Sequence, residues 1–189
     1  MKKINLLILF IGLLQVSFAQ KSNLKIAVKS SSINWEGKKI VGGHVGTIAI
    51  KDGQLTVENN KIVGGEFTID MPSMVCTDAA KLTAHLKNED FFDVNKYPTA
   101  KFVITKVDNS KAKPELTGNL TIKDKTKSIS FPISISNQSA NGLEAEAIDV
   151  KVNRLDFDIR YGSSSFFADL GNRAIADEFI LNIKIKAIK

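Results

Sequence analysis

The sequence predicts an all-β fold of antiparallel strands with one short inserted helix, and three observations predict it. Apolar and polar residues alternate with period two along most of the chain. Turn-forming pairs punctuate the alternating runs. Only one stretch repeats at helical spacing.

The final run is the clearest. Phe179, Leu181, Ile183, Ile185 and Ala187 alternate with the residues between them, as do Ile129, Phe131, Ile133 and Ile135. Leu116, Gly118, Leu120 and Ile122 form a third such face, and Val63, Gly65, Phe67, Ile69 and Met71 a fourth. One apolar and one wet face per strand is the pattern of antiparallel sheets. Strands are predicted near 24–28, 32–36, 44–50, 54–58, 61–71, 99–109, 115–123, 127–137, 143–153 and 177–188, some of them continuations of one another. Asp52-Gly53 and Asn141-Gly142 suit two-residue hairpin turns, and Asn59-Asn60 and Lys123-Asp124-Lys125 are further turns. The alternation slips phase between Ala147 and Ile148, which predicts a bulge. The helix is expected after a cap at Thr77 or Asp78, with Ala79, Leu82, His85 and Leu86 on one stripe. About eight long strands must close or fold over, because open edges invite aggregation. From the pattern alone a barrel and a sandwich are equally favoured.

Composition narrows the class. The chain has 189 residues, 43% hydrophobic and 24% charged, which excludes disorder and suits one domain with a sound core. Residues 1–19 read as a signal peptide: Lys2 and Lys3, an apolar run from Ile4 to Leu14, then Ser17-Phe18-Ala19 before Gln20. The run is too short to span a bilayer, so the protein is expected not to be membrane-spanning. Residues 20–189 form the mature domain. Losing Lys2 and Lys3 lowers the formal charge from +6 to +4, which is no nucleic-acid footprint. Cys76 is the only cysteine, so no internal disulfide is available, and no motif around it activates the thiol.

Motifs for chemistry are weak. His44 and His85 are the only histidines and have no paired metal-ligand spacing, so no metal site is expected. Gly162-Ser163-Ser164-Ser165 lacks the second glycine of a nucleophile elbow, and no phosphate-binding loop follows a strand. No catalytic residue and no cofactor are assigned. An enzyme using His44 with a loop acid, and a barrel with a filled core and no ligand, stand as alternatives to a binding protein.

Several motifs occur in fixed order. Gly64-Gly65-Glu66-Phe67-Thr68-Ile69-Asp70-Met71 precedes Lys81-Leu82 and His85-Leu86-Lys87. Asp90-Phe91-Phe92-Asp93-Val94, Tyr97-Pro98-Thr99-Ala100 and Phe102 follow, then Leu116-Thr117-Gly118-Asn119-Leu120-Thr121. Together they resemble the YceI-like family of exported lipid-binding proteins, over nearly all of the mature chain. Ser32-Ile33-Asn34-Trp35-Glu36-Gly37-Lys38 and His44-x-Gly46 look like one branch of it, departing from the founding members.

The resemblance implies an extended lipocalin-like antiparallel barrel, a periplasmic or secreted location, no catalytic residue and an isoprenoid-type or quinone-like long-chain lipid held inside. Phe67, Ile69, Phe102, Ile104, Leu120, Phe131, Ile133, Phe179, Leu181 and Ile183 are then expected to line the interior, with Trp35 at its border. A head group would be read at the mouth by His44, Arg154, Arg160 or Tyr161. The oligomeric state, a homodimer included, stays open.

Overall fold

The computed structural model describes residues 21–139 and 141–189. The signal-peptide reading of residues 1–19 and the cut before Gln20 lie outside them. Ten strands in one antiparallel sheet make up the described residues, with a single α-helix. β1 (Lys21–Ile26), β2 (Ser32–Lys39), β3 (Gly43–Glu58) and β4 (Lys61–Cys76) precede α1 (Ala80–Lys87). β5 (Thr99–Asp108), β6 (Glu115–Ile122), β7 (Lys125–Pro132), β8 (Ser134–Ser139), β9 (Gly142–Asn153) and β10 (Ile175–Ile188) follow.

The sheet closes into an all-β, eight-staved barrel because two staves are each built from two strands. β1 and β2 both sit between β3 and β10, parted by a 3-10 turn at Val28–Ser30. β7 pairs with β6 and β8 with β9, so the segment from 125 to 139 changes partner at its middle. This corrects the expectation of one uniform strand over 127–137. Pro132 has no N–H to donate, and the next residue, Ile133, gives its N–H to the Pro114 carbonyl instead of a ladder. A barrel leaves no row of free edge groups, which favours it over the sandwich.

Turn chemistry explains most connections. Asn59 and Asn60 hold φ of 49° and 61°, the paired left-handed conformation of a tight hairpin between β3 and β4. The expected hairpin at Asp52-Gly53 does not form: β3 runs through it, with a register shift between Ile50 and Asp52. A Cβ on Gly53 would lie 2.8 Å from the Glu66 carbonyl oxygen, so this glycine serves close approach to β4, not chain reversal. The bulge expected after Ala147 is present. Ile148 and Asp149 together oppose Asn182, whose Oδ1 accepts the Asp149 N–H at 3.0 Å. A further slip between Thr56 and Val57 turns Val63 outward, against its predicted inward phase.

Helix α1 closes one end of the barrel. It starts at Ala80 after an Ala79 cap that makes no side-chain bond, so the predicted Thr77 or Asp78 cap is absent. Both side chains are engaged elsewhere: the Thr77 hydroxyl donates to the Val45 carbonyl, and Asp78 accepts the Val45 N–H. Leu86 is buried on the barrel end, with Leu82 half-buried beside it, as the stripe predicts. His85 instead bonds Asp90 at 2.9 Å and packs edge-on against Phe91 and Tyr161.

Candidate apolar binding site

Among the described residues, two neighbouring cavities lie in the barrel interior. The larger, about 170 Å³, lies under α1 and is walled by Trp35, Ile48, Ile69, Met71, Phe92 and Phe179, among others. The smaller, about 110 Å³, lies deeper, among Phe67, Phe102, Phe131, Ile133, Ala147 and Ile183. Ile33, Ile69, Leu120 and Leu181 border both, so the cavities meet at a waist of four aliphatic side chains.

Nearly all of this wall is carbon. A water needs about 10–15 Å³ and two to four polar partners. There is room here for several, but few such partners away from the rim, so most of the space suits an apolar guest or stays dry. Tilted aromatic pairs form part of the lining. Phe102 lies 6.5 Å from Phe67 and 5.7 Å from Phe131, centroid to centroid.

Two glycines seat the rings. A Cβ on Gly118 would fall 2.3 Å from Phe102 Cζ, and one on Gly46 would fall 2.4 Å from the Trp35 ring. Any side chain there would drive the aromatic off its place. Trp35 is held further by its indole N–H, which donates to the Thr47 carbonyl at 3.3 Å.

Trp35, Phe67, Ile69, Phe102, Leu120, Phe131, Ile133, Phe179, Leu181 and Ile183 all border one cavity or both. Ile104 is buried, but on neither wall; it packs toward Gly65. Several lining residues were not anticipated. Met74 follows a bulge in β4, where residues 71–74 span the interval opposite Ile48 and Ser73 takes the Ala49 N–H. Phe91, Phe92 and Ile159 come from irregular segments without alternation, and Ile175 opens β10 ahead of its predicted start at 177. Leu82 and Leu86, on the apolar stripe of α1, also border the larger cavity.

Most of the charged lining gathers at one end of the larger cavity, and Glu146 borders the smaller one. Lys38 and Lys39 end β2, His44 opens β3, and Glu178 lies near the start of β10. The pairings Gly37 with His44 and Lys39 with Ile175 put these termini on one rim. Of the four head-group candidates, His44 and Arg154 border the larger cavity, whereas Arg160 and Tyr161 border neither. Arg160 pairs with Asp158 at 2.7 Å and covers the Phe166 ring. Tyr161 packs on His85 and Phe91.

Arg154 is only 4% exposed and is committed to the backbone. It donates to the carbonyls of Ile159, Tyr161, Ala176 and Ile175 at 2.8–3.1 Å. Asp177 stands 3.5 Å from it and balances the charge. This guanidinium fastens the irregular 154–176 segment to β10. Burial pulls its pKa down, and Asp177 opposes that shift.

A second cluster lies on the same rim. His44 Nδ1 stands 3.4 Å from Asp78 Oδ1, and the Cys76 thiol donates to that oxygen at 3.0 Å. Burial pushes the thiol pKa up, and the bond to Asp78 adds to the shift. The thiol is therefore a weak nucleophile, as the lack of an activating motif predicts.

With the geometry in place, comparison with known proteins identifies the fold's relatives. The model of the YceI-like domain matches residues 24–187. The chain belongs to the YceI-like family. Protein YceI of Salmonella arizonae is 29% identical over 117 residues, 58% of this chain and 56% of that protein. The UPF0312 protein of Photorhabdus laumondii is 29% identical over 115 residues, 57% of this chain and 55% of that protein. The aligned region thus spans little more than half the length of these curated relatives. Among solved structures, BcnA of Burkholderia cenocepacia superposes with a TM-score of 0.67 at 21% identity, over 87% of this chain and 99% of that one. A polyisoprenoid binding domain from Saccharophagus degradans, implicated in plant cell wall breakdown, superposes at 0.64 and 11% identity, over 87% and 97%. At these identities the two superpositions establish the YceI-like barrel fold.

Proposed function

We propose that this YceI-like barrel binds one long apolar chain, of polyisoprenoid or quinone-like type, as a carrier or store. The observation that carries the reading is the pair of carbon-lined cavities meeting at Ile33, Ile69, Leu120 and Leu181. Aliphatic side chains at this waist can change rotamer to admit a chain that runs through both. Each buried CH₂ contributes about 0.8 kcal/mol gross, so about twenty carbons supply on the order of 16 kcal/mol before the cost of ordering the chain. Such a wall selects length and apolarity. The Saccharophagus domain, described as polyisoprenoid binding, supports the ligand class.

The reading is one of binding: the walls carry aliphatic and aromatic groups, and Arg154 at the rim is committed to backbone carbonyls and Asp177. Export to the periplasm or medium completes the reading, supported by Lys2, Lys3 and the apolar run that ends at Ala19. No helix among the described residues is long and apolar enough to cross a membrane. N-terminal sequencing of exported protein is expected to begin at or beside Gln20.

Titration with a long-chain isoprenoid, followed by Trp35 emission and by protein-bound lipid, tests the ligand. Wild type is expected to saturate, and Ile133→Asn to bind at least about tenfold more weakly, because its amide is buried without partners. A folded wild type that takes up no long apolar ligand would return the barrel to the filled-core reading.

A further inference from the structure

The rim cluster of His44, Cys76 and Asp78 offers a second kind of site. One ligand atom from each lies within 4.8 Å of the others. The Asp78–His44 and Asp78–Cys76 separations are 3.4 and 3.0 Å. Zinc bonds of about 2.0–2.3 Å in tetrahedral geometry set donor atoms about 3.3–3.7 Å apart. The three donors therefore need shifts of only tenths of an ångström to about one ångström. His44 Nδ1 is itself buried and makes no well-formed hydrogen bond among the described residues; its polar neighbour is Asp78 Oδ1 at 3.4 Å. A buried ring nitrogen without a well-formed hydrogen bond, beside a carboxylate and a thiol, is a donor set suited to a cation.

The strands preorganise the set. Gly46 pairs with Cys76 across the β3–β4 ladder, two residues from His44. The Thr77 N–H returns to the Val45 carbonyl at 2.9 Å, and Asp78 accepts the Val45 N–H. Cys76 is buried, while Asp78 remains exposed, which leaves a side open to water.

We propose that His44 Nδ1, Cys76 Sγ and an Asp78 carboxylate oxygen bind one soft or borderline divalent cation, of which Zn²⁺ is the type, with water as fourth ligand. A thiol with an imidazole favours such ions over Ca²⁺ or Mg²⁺, which require oxygen donors. Binding displaces the thiol proton, which now rests against Asp78, to solvent; no redox change is involved. Lys39 Nζ, 3.2 Å from His44 Nε2, must swing away, and its exposed position allows that. Because His44 also borders the larger cavity, the cation would stand at the cavity's polar rim. The site does not depend on what the cavity holds.

The test uses full-length mature protein without an affinity tag, stripped with chelator and titrated with Zn²⁺ by calorimetry and with Co²⁺ by absorption. One equivalent is expected, with a thiolate-to-cobalt charge-transfer band in the near ultraviolet and one proton released per ion. Cys76→Ser should abolish the band, and His44→Gln and Asp78→Asn should each weaken Zn²⁺ at least about tenfold. His44 and Asp78 are partly or fully exposed, so these two variants keep the result interpretable if Cys76→Ser melts early. Circular dichroism verifies the fold of each. No stoichiometric binding by wild type, a cobalt spectrum without the thiolate band, or unchanged affinity in His44→Gln and Asp78→Asn would each overturn the site.

Discussion

Phe92 and Phe179 meet nearly edge to face, with centroids 6.5 Å apart and planes at 78°, on the wall of the larger cavity. Phe92 comes from the irregular segment after α1 and Phe179 from β10, so this pair links the barrel's end cap to its wall. Both rings are only partly buried, because the cavity leaves one side of each without neighbours.

Phe92→Ala therefore removes a contact and enlarges a space that already exists. A fully buried Phe→Ala costs about 3–5 kcal/mol. For this half-buried ring about 1–3 kcal/mol is expected, read as a lower midpoint in urea with unchanged slope. A loss below about 0.5 kcal/mol would show that the end cap does not rest on this ring.

Arg154 is predicted to act in folding. Arg154→Met would strand the carbonyls of Ile159, Tyr161 and Ala176 and leave Asp177 without its cation. Breaking a buried, paired charge costs about 3–5 kcal/mol. Denaturant unfolding should show that loss, and hydrogen exchange should show faster exchange across 154–176. Full stability in Arg154→Met would free this side chain for another role.

Asp177 gives the pH dependence a sign. Burial raises its pKa, but bonds from the Ser163 and Ser165 hydroxyls, together with the Arg154 charge, outweigh burial and hold it below the ordinary value. The folded form thus prefers the carboxylate. Its stabilisation is full above the unfolded pKa, about 3.9, and fades as pH falls through the lower folded value. Asp177→Asn should be less stable than wild type at about pH 7, with the gap narrowing toward about pH 3 in parallel melting curves. A gap independent of pH would contradict this.

Much of this site is legible in the alternation of the strands. Ile133, Phe131 and Leu181 point inward because period two leaves them no other face, and the bulge at Ile148-Asp149 shows where the phase slips. Barrel closure is less legible, since it depends on Pro132 interrupting one ladder so that Ile135 can join another. Asp52-Gly53 reads as a turn in one dimension. Only the approach of Glu66 on the neighbouring strand shows the glycine to be a spacer. Arg154, Phe91 and Phe92 lie in segments without periodicity, and each also leans on a distant element (β10 for Arg154 and Phe92, Tyr161 for Phe91), so no repeat announces their places. The rim cluster is hidden for a similar reason. His44 and Cys76 are far apart along the chain and meet only through the β3–β4 register.

The central claim is that the barrel holds a long apolar chain, and native mass spectrometry of the protein purified from its own source, with extraction of whatever it carries, tests it most directly. The account predicts a folded species heavier than the mature chain by the mass of one isoprenoid- or quinone-type lipid, which organic extraction removes and identifies. A folded protein found only at the mass of the bare chain, and staying there when supplied with long-chain isoprenoids and quinones, would contradict it.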